Sequence, residues 1–200
     1  MVEVNFRRRR FLTRLTAGVG AVGAGFAVVP FVSSMLPSAR ALAAGSPTTV
    51  DFSKLESGQM ITVGWRGKPI WIVYRTKEML DRLWKIHDFL LDPESSRTSQ
   101  QPDYAKNEYR SRGKRYSVLV GICTHLGCVP LSKFTPGVNS GVQSDWPGGY
   151  YCPCHGSKYD LAGRVFKNVP APSNLLVPPH YFVNETTVII GLNSKEEVAG

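Results

Sequence analysis

Two hundred residues and 22.1 kDa are enough for one core of roughly 130–150 residues plus an appendage. Hydrophobic residues make up 42% and charged residues 20%, with 19 Gly and 14 Pro, which excludes a disordered tail protein, a collagen-like chain and a multi-span membrane protein. The net charge of +9 is unevenly placed: residues 1–14 carry +4 of it, with Arg7, Arg8, Arg9, Arg10 and Arg14 against Glu3, and residues 41–200 carry only +4, so the main body has no basic stripe and nucleic acid is not an expected partner.

In chain order, the basic leader is followed by residues 15–36, 22 residues without a charge. As a helix they would span about 33 Å, against a hydrocarbon core of about 30 Å. Residues 1–14 therefore read as a cytoplasmic leader and 15–36 as a single transmembrane anchor, which sends the rest of the chain across the membrane. The run Arg8-Arg9-Arg10-Phe11-Leu12 resembles a twin-arginine export signal, although Arg7 stands where that pattern has Ser or Thr. Ala41-Leu42-Ala43 offers a small-residue cleavage site, so a removed signal is the competing reading. Residues 37–49, rich in Pro, Ser, Ala and Gly, read as a flexible neck of at most about 45 Å. The head is then 50–200.

Within the head, short apolar runs alternate with turns. Met60–Trp65 and 69–75 flank Arg66-Gly67-Lys68 as a hairpin, and 116–122 reads as a buried strand. Further strands are expected at 150–151, 157–159, 164–166, 175–177, 181–183 and 187–191. Residues 76–91 differ: Met79, Leu80, Leu83, Trp84, Ile86 and Leu90 follow helical spacing, with charges on the other face. Residues 92–115 are polar and read as a surface excursion. The expectation is a mostly antiparallel β domain with one helix.

All four cysteines fall within 32 residues, together with two of the four histidines, in Cys123-Thr124-His125-Leu126-Gly127-Cys128 and Cys152-Pro153-Cys154-His155-Gly156-Ser157. Three readings compete. Two structural disulfides suit an exported chain but leave the histidines unexplained. Structural zinc accepts Cys and His, yet four thiolates and two imidazoles exceed a tetrahedral site. A two-iron cluster uses mixed ligands. His87 and His180 lack cysteine neighbours and read as ordinary surface or core residues.

The two boxes C-T-H-L-G-C and C-P-C-H-G-S resemble those of the Rieske iron–sulfur proteins without a substitution. Arg75-Thr76-Lys77, Gly121-Ile122, Lys158-Tyr159-Asp160, Gly163-Arg164-Val165 and Pro170-Ala171-Pro172 extend the resemblance to the iron–sulfur subunits of ubiquinol–cytochrome c oxidoreductases, over most of residues 5–192. The resemblance implies a Rieske-type antiparallel β-sandwich head with a cluster-binding subdomain at about 121–172. It implies one [2Fe-2S] cluster, with Cys123 and Cys152 on one iron, His125 and His155 on the other, and a Cys128–Cys154 disulfide. It further implies that Ser157 and Tyr159 donate hydrogen bonds to sulfur and that Leu126 shields the cluster. Of the two catalytic histidines, His155 is implied as the quinol contact beside His125. Gly127 and Gly156 would permit tight turns, and 170–172 would form a third covering loop.

Implied partners are ubiquinol, cytochrome b and a c-type cytochrome within a dimeric complex of the bacterial inner membrane, with the head periplasmic. A Rieske subunit of another periplasmic oxidoreductase, such as arsenite oxidase, is the alternative within the family. A plastoquinol-oxidising relative fits less well, because the 76–91 helix resembles the respiratory branch. One departure stands out: 23 residues separate Cys128 from Cys152, and 133–149 is expected to be a surface insertion.

Overall fold

The computed structural model describes residues 5–38, 41 and 45–194. The chain divides into two compact units, 1–43 and 44–200. In the first, helix α1 (Phe6–Ser34) is 29 residues long and, by length and composition, apolar enough to cross a membrane. It starts earlier than the uncharged run because the Asn5 side chain caps the Arg8 amide at 3.1 Å, so the arginines form its first turns.

Among its described residues, the second unit holds three antiparallel sheets of three strands each. The first sheet joins β1 (Thr48–Asp51), β9 (Thr187–Ile190) and β8 (His180–Asn184), in that order. The second is a meander of β2 (Met60–Trp65), β3 (Lys68–Tyr74) and β4 (Tyr116–Val120), and the third is β5 (Leu131–Lys133), β6 (Gly149–Tyr151) and β7 (Lys158–Tyr159). Strand β1 begins inside the stretch read as neck. At the β2–β3 hairpin Arg66 and Gly67 both have positive φ, 51° and 70°, the backbone that a two-residue turn with the strands' own twist requires.

The side chains of β3 and β4 explain why these runs are apolar without alternation. Ile70 pairs with Val120 and Ile72 with Val118, and these four join Val50, Phe52, Val188 and Ile190 in a core shared with the first sheet. On the opposite face Trp71 pairs with Leu119. Both pack with Tyr150, Tyr159, Cys123 and Cys152. The β3–β4 pair is thus covered on both sides, and every position from Ile70 to Val73 is buried.

Five expectations need correction. The helix expected over 76–91 is α2 (Lys77–Trp84), capped by the Thr76 hydroxyl on the Met79 amide, with Met79 and Leu83 buried against Leu161 and Ala162. It stops early because Leu90 leaves to bridge Phe166, and the Leu91 amide donates to Val165 O. Residues 164–166 make only isolated bridges, and 175–177, set before Pro178 and Pro179, is irregular. Leu175 and Val177 are nevertheless buried, and their amides donate to Gly163 O and Gln100 O.

The polar stretch 92–115 is not simply a surface excursion, because buried side chains anchor it. Arg110 is fully buried and donates to the carbonyls of Ala162, Gly163 and Gln100 and to Gln101 Oε1. Arg75, also buried, donates to the carbonyls of Tyr109, Gly113, Lys114 and Tyr116 and to Ser111 Oγ. Burial lowers both guanidinium pKa values to about 10, so both stay charged at neutral pH. Nor is 133–149 simply an insertion on the surface. Trp146 is 1% exposed, donates from Nε1 to Lys133 O at 2.7 Å and stacks on Phe166.

Candidate metal centre

The two cysteine boxes fold into turns with the same hydrogen bonds. In the first, the Cys123 amide donates to Cys128 O and the Gly127 amide to Cys123 O, at 2.8 and 3.0 Å. In the second, Cys152 donates to Ser157 O and Gly156 to Cys152 O, at 2.8 and 3.0 Å. The fifth residue of each turn has positive φ, 84° at Gly127 and 76° at Gly156, which is why glycine stands there in both boxes.

These turns bury the first cysteine of each box, Cys123 and Cys152, both as free thiols. They turn His125 outward to partial exposure and leave His155 exposed. The two imidazole centroids lie 4.8 Å apart, nearly perpendicular. Leu126 is 71% exposed beside them. Cys128 and Cys154 form a disulfide with a Cα–Cα distance of 6.7 Å and a sequence separation of 26. In the chain-entropy account, closing that loop is worth about 3.5 kcal/mol. It ties one turn to the other.

The two buried sulfurs differ in how readily they take a negative charge. Burial pushes the Cys123 thiol up, but hydrogen bonds from Tyr159, the His125 amide, Cys152 and Ser157 outweigh it and hold the thiol below its usual value. At Cys152 burial wins, and the thiol lies above its usual value although the amides of Cys154 and His155 face it. Burial also raises the Tyr159 phenol, which keeps its proton and remains a donor.

Tyr159 is held by its neighbours. Its oxygen accepts from the Thr124 amide at 3.0 Å and lies 3.2 Å from Cys123 Sγ and 3.1 Å from Thr124 Oγ1. Since the Thr124 hydroxyl donates to Ser173 O at 2.7 Å, the single phenol proton is left to face either Cys123 Sγ or Thr124 Oγ1. Ser157 Oγ accepts from the Ala171 amide at 3.1 Å, so its own proton is also free to turn toward sulfur. Residues 170–173 thus grip both turns.

Beneath Tyr159, the Asp160 carboxylate accepts from the Ala162 and Arg164 amides and from Arg164 Nε at 2.7 Å, and Arg164 reaches Leu83 O. Gly149 lies against this strand: a Cβ there would sit 2.0 Å from Tyr159 O, at φ 150°. Gly121 makes room for Trp71 in the same way, since a Cβ would meet the indole at 2.3 Å. Thr124, Ser173 and Arg110 were not singled out from the sequence. Thr124's place inside the first box is the signal that could have marked it.

The donor set fits a mixed-ligand cluster and not a single tetrahedral ion. Among the described residues, the Cys, His or carboxylate group whose donors all lie within 4.8 Å of one another is Cys128, Cys152 and Cys154, and two of those sulfurs are already bonded to each other. Zinc at about 2.3 Å from sulfur would need four donors converging more tightly. Two buried thiols, amides facing them and two outward imidazoles suit two irons in unlike surroundings.

Comparison with known proteins agrees. Residues 98–183 match the family model "Rieske [2Fe-2S] domain", and residues 2–38 match "Ubiquitinol-cytochrome C reductase Fe-S subunit TAT signal". The chain is 56% identical to the ubiquinol–cytochrome c reductase iron–sulfur subunit of Allochromatium vinosum, over 94% of this chain and 90% of that one. It is 45% identical to the corresponding subunit of Rhodospirillum rubrum, over 92% and 91%. A solved chain titled "Hyperthermophilic respiratory Complex III" is similar at 26% identity and a TM-score of 0.47, covering 88% of this chain and 98% of that one. The chain belongs to the Rieske [2Fe-2S] iron–sulfur subunits of ubiquinol–cytochrome c reductases.

Proposed function

We propose that Cys123 and Cys152 hold one iron and His125 and His155 the other, and that the head takes an electron from ubiquinol at a site shared with cytochrome b and passes it to a c-type cytochrome. When bound, the cluster exchanges one electron at a time, at a potential that its two imidazoles raise above that of all-cysteine clusters. The observation that carries this reading is the split environment: buried thiols that face hydroxyl and amide donors, and imidazoles that face out beside an exposed leucine.

An imidazole that binds iron through one nitrogen keeps the other for a proton. On exposed His155 that nitrogen can accept from a quinol hydroxyl. An electron added nearby strengthens its hold on the proton, so proton and electron leave the quinol together. Leu126 offers the apolar surface that a quinone ring needs. Tyr159 and Ser157 direct their protons to sulfur, and such bonds strengthen as negative charge grows there.

Helix α1 serves as the anchor, with the arginines of residues 7–14 on the cytoplasmic side of the bacterial inner membrane and the head in the periplasm. The segment between helix and head is the neck, and the complex is dimeric. Low-temperature EPR and iron analysis of the purified full-length protein test the assignment. Dithionite reduction should give a mixed-valence signal with nitrogen hyperfine coupling, from about two irons per chain. A silent sample holding one zinc would overturn it.

A further inference from the structure

The buried charges behind the cysteine turns do not balance. Among the described residues, the charged side chains buried in the head are Arg75, Arg110, Arg164 and Asp160. Asp160 is matched to Arg164 at 2.7 Å, which leaves Arg75 and Arg110 without a carboxylate. Their donors go to backbone carbonyls, Ser111 Oγ and Gln101 Oε1. Arg110 Nε, also buried, makes no hydrogen bond. Such bonds satisfy donors but cancel no charge. Three guanidiniums against one carboxylate leave the interior with a surplus of two positive charges.

The surplus lies on the side of the buried sulfurs. Arg75 is within electrostatic reach of the Tyr150 phenol and of Asp160, and Arg110 is within reach of Asp160. Tyr150 stands two residues before Cys152 and opposite Tyr159 across the β6–β7 pair. Both tyrosines pack with Cys123 and Cys152 in one core. Asp160 directly follows Tyr159, whose oxygen is 3.2 Å from Cys123 Sγ. A core of this kind screens charge poorly, because water and salt are kept out.

We infer that Arg75 and Arg110 act through space on the iron centre, as fixed positive charges that favour its reduced form and raise the potential at which the two turns accept an electron. The inference rests on the ligand assignment proposed above. Two ferric irons, two sulfides and two thiolates carry no net charge, and one electron from the donor leaves the site with a single negative charge. Fixed cations therefore stabilise the reduced form and hardly affect the oxidised one. None of the arginines' hydrogen bonds reaches Cys123, His125, Cys152 or His155. Their effect is thus separate from the hydroxyl donors at sulfur.

The test uses full-length protein in detergent, with the iron content and EPR signal of the unmodified protein read first. Arg75 and Arg110 are each replaced by Gln and by Lys. Every protein is titrated against redox mediators under EPR and unfolded with denaturant. Glutamine removes the charge, whereas lysine keeps it, because the carbonyls around each site favour the protonated ammonium. Both lose the forked bonds of a guanidinium, so both should destabilise the head to a similar degree. The potential should separate them. Each Gln protein should hold about three- to tenfold less reduced form at a given poise, a downward shift of about 30–60 mV at one electron. Each Lys protein should stay close to the unmodified value. The Gln shift should persist in high salt, since neither charge is open to solvent.

Equal potentials in the Gln and Lys proteins would overturn the proposal, whatever their stability, and assign both arginines to folding alone. So would loss of iron from both Gln proteins, which reports a scaffold and not a tuning charge. An unmodified protein without iron or signal sinks the ligand assignment and this inference with it, and that failure is read before any variant is made.

Discussion

The two faces of the β3–β4 pair are packed on different principles. Toward β1, β9 and β8 the contact is dominated by aliphatic side chains: Ile70, Ile72, Val118 and Val120 against Val50, Val188 and Ile190. Toward the cysteine turns it is aromatic, with Trp71 stacked on Tyr150 at 4.8 Å. Behind it stands a polar scaffold of Arg75, Arg110, Asp160 and Arg164, all buried. An aliphatic face tolerates small changes in shape, because dispersion and burial are non-directional. A scaffold of directed hydrogen bonds does not, because each broken bond leaves a buried partner unpaired. Position is thus fixed tightly where sulfur meets its donors.

Breaking the polar side should cost most. Asp160→Ala leaves the Arg164 guanidinium buried without its carboxylate and should destabilise the head by about 3–5 kcal/mol in chemical denaturation, with loss of bound iron. A loss under about 1 kcal/mol would show that the scaffold is not structural.

Next come the donors themselves. Tyr159→Phe and Ser157→Ala should each keep the iron and lower the midpoint potential by about 40–130 mV, the equivalent of about 1–3 kcal/mol at one electron. Redox titrations unchanged in both would remove hydrogen bonding to sulfur as their role.

On the sandwich side the largest sensitivity is to acid. His180 is fully buried at the start of β8, and its Nδ1 is 2.8 Å from Pro178 O. Burial lowers its pKa from 6.5 to about 4. Below pH 6.5 the unfolded chain takes up a proton there that the folded chain refuses, so stability falls as the pH drops and this dependence ends near pH 4. The fall should reach on the order of 2–3 kcal/mol, and a His180→Gln protein should lose most of it in denaturation curves between pH 7 and 4.

The smallest effect sharpens the contrast. Ile72→Val should cost about 0.5–1.5 kcal/mol and leave the midpoint potential where it was. A shift as large as that of Tyr159→Phe would show that the two faces are not separable.

What the sequence disclosed follows the same division. The two boxes, the Arg66-Gly67 hairpin and the apolar runs at 60–65, 69–75 and 116–122 are local signals, and each corresponds to an observed element. Arg110, and the buried role of Arg75, are not legible because a charged side chain reads as exposed, and only the fold brings Ala162 O and Gly163 O to Arg110. Trp146 was hidden in a Gly- and Ser-rich stretch whose closure depends on Lys133 O. Residues 175–177 have the composition of a strand, but Pro178 and Pro179 and three separate partners draw them into irregular backbone. The early start of α1 at Phe6 rests on a cap, Asn5, that lay inside the basic leader.

The matched closure of the two hexapeptides carries a rule about length. Each is shut by its first residue bonding the carbonyl of its sixth while its fifth bonds back to the first. Deleting or adding one residue inside either would undo both bonds at once and pull glycine out of the place its backbone demands. The connection between them leaves from β5 and returns at β6, and it is closed by Trp146 on Lys133 O rather than by a fixed count of residues. Insertions and deletions are therefore expected in that span away from Trp146, and none inside either box.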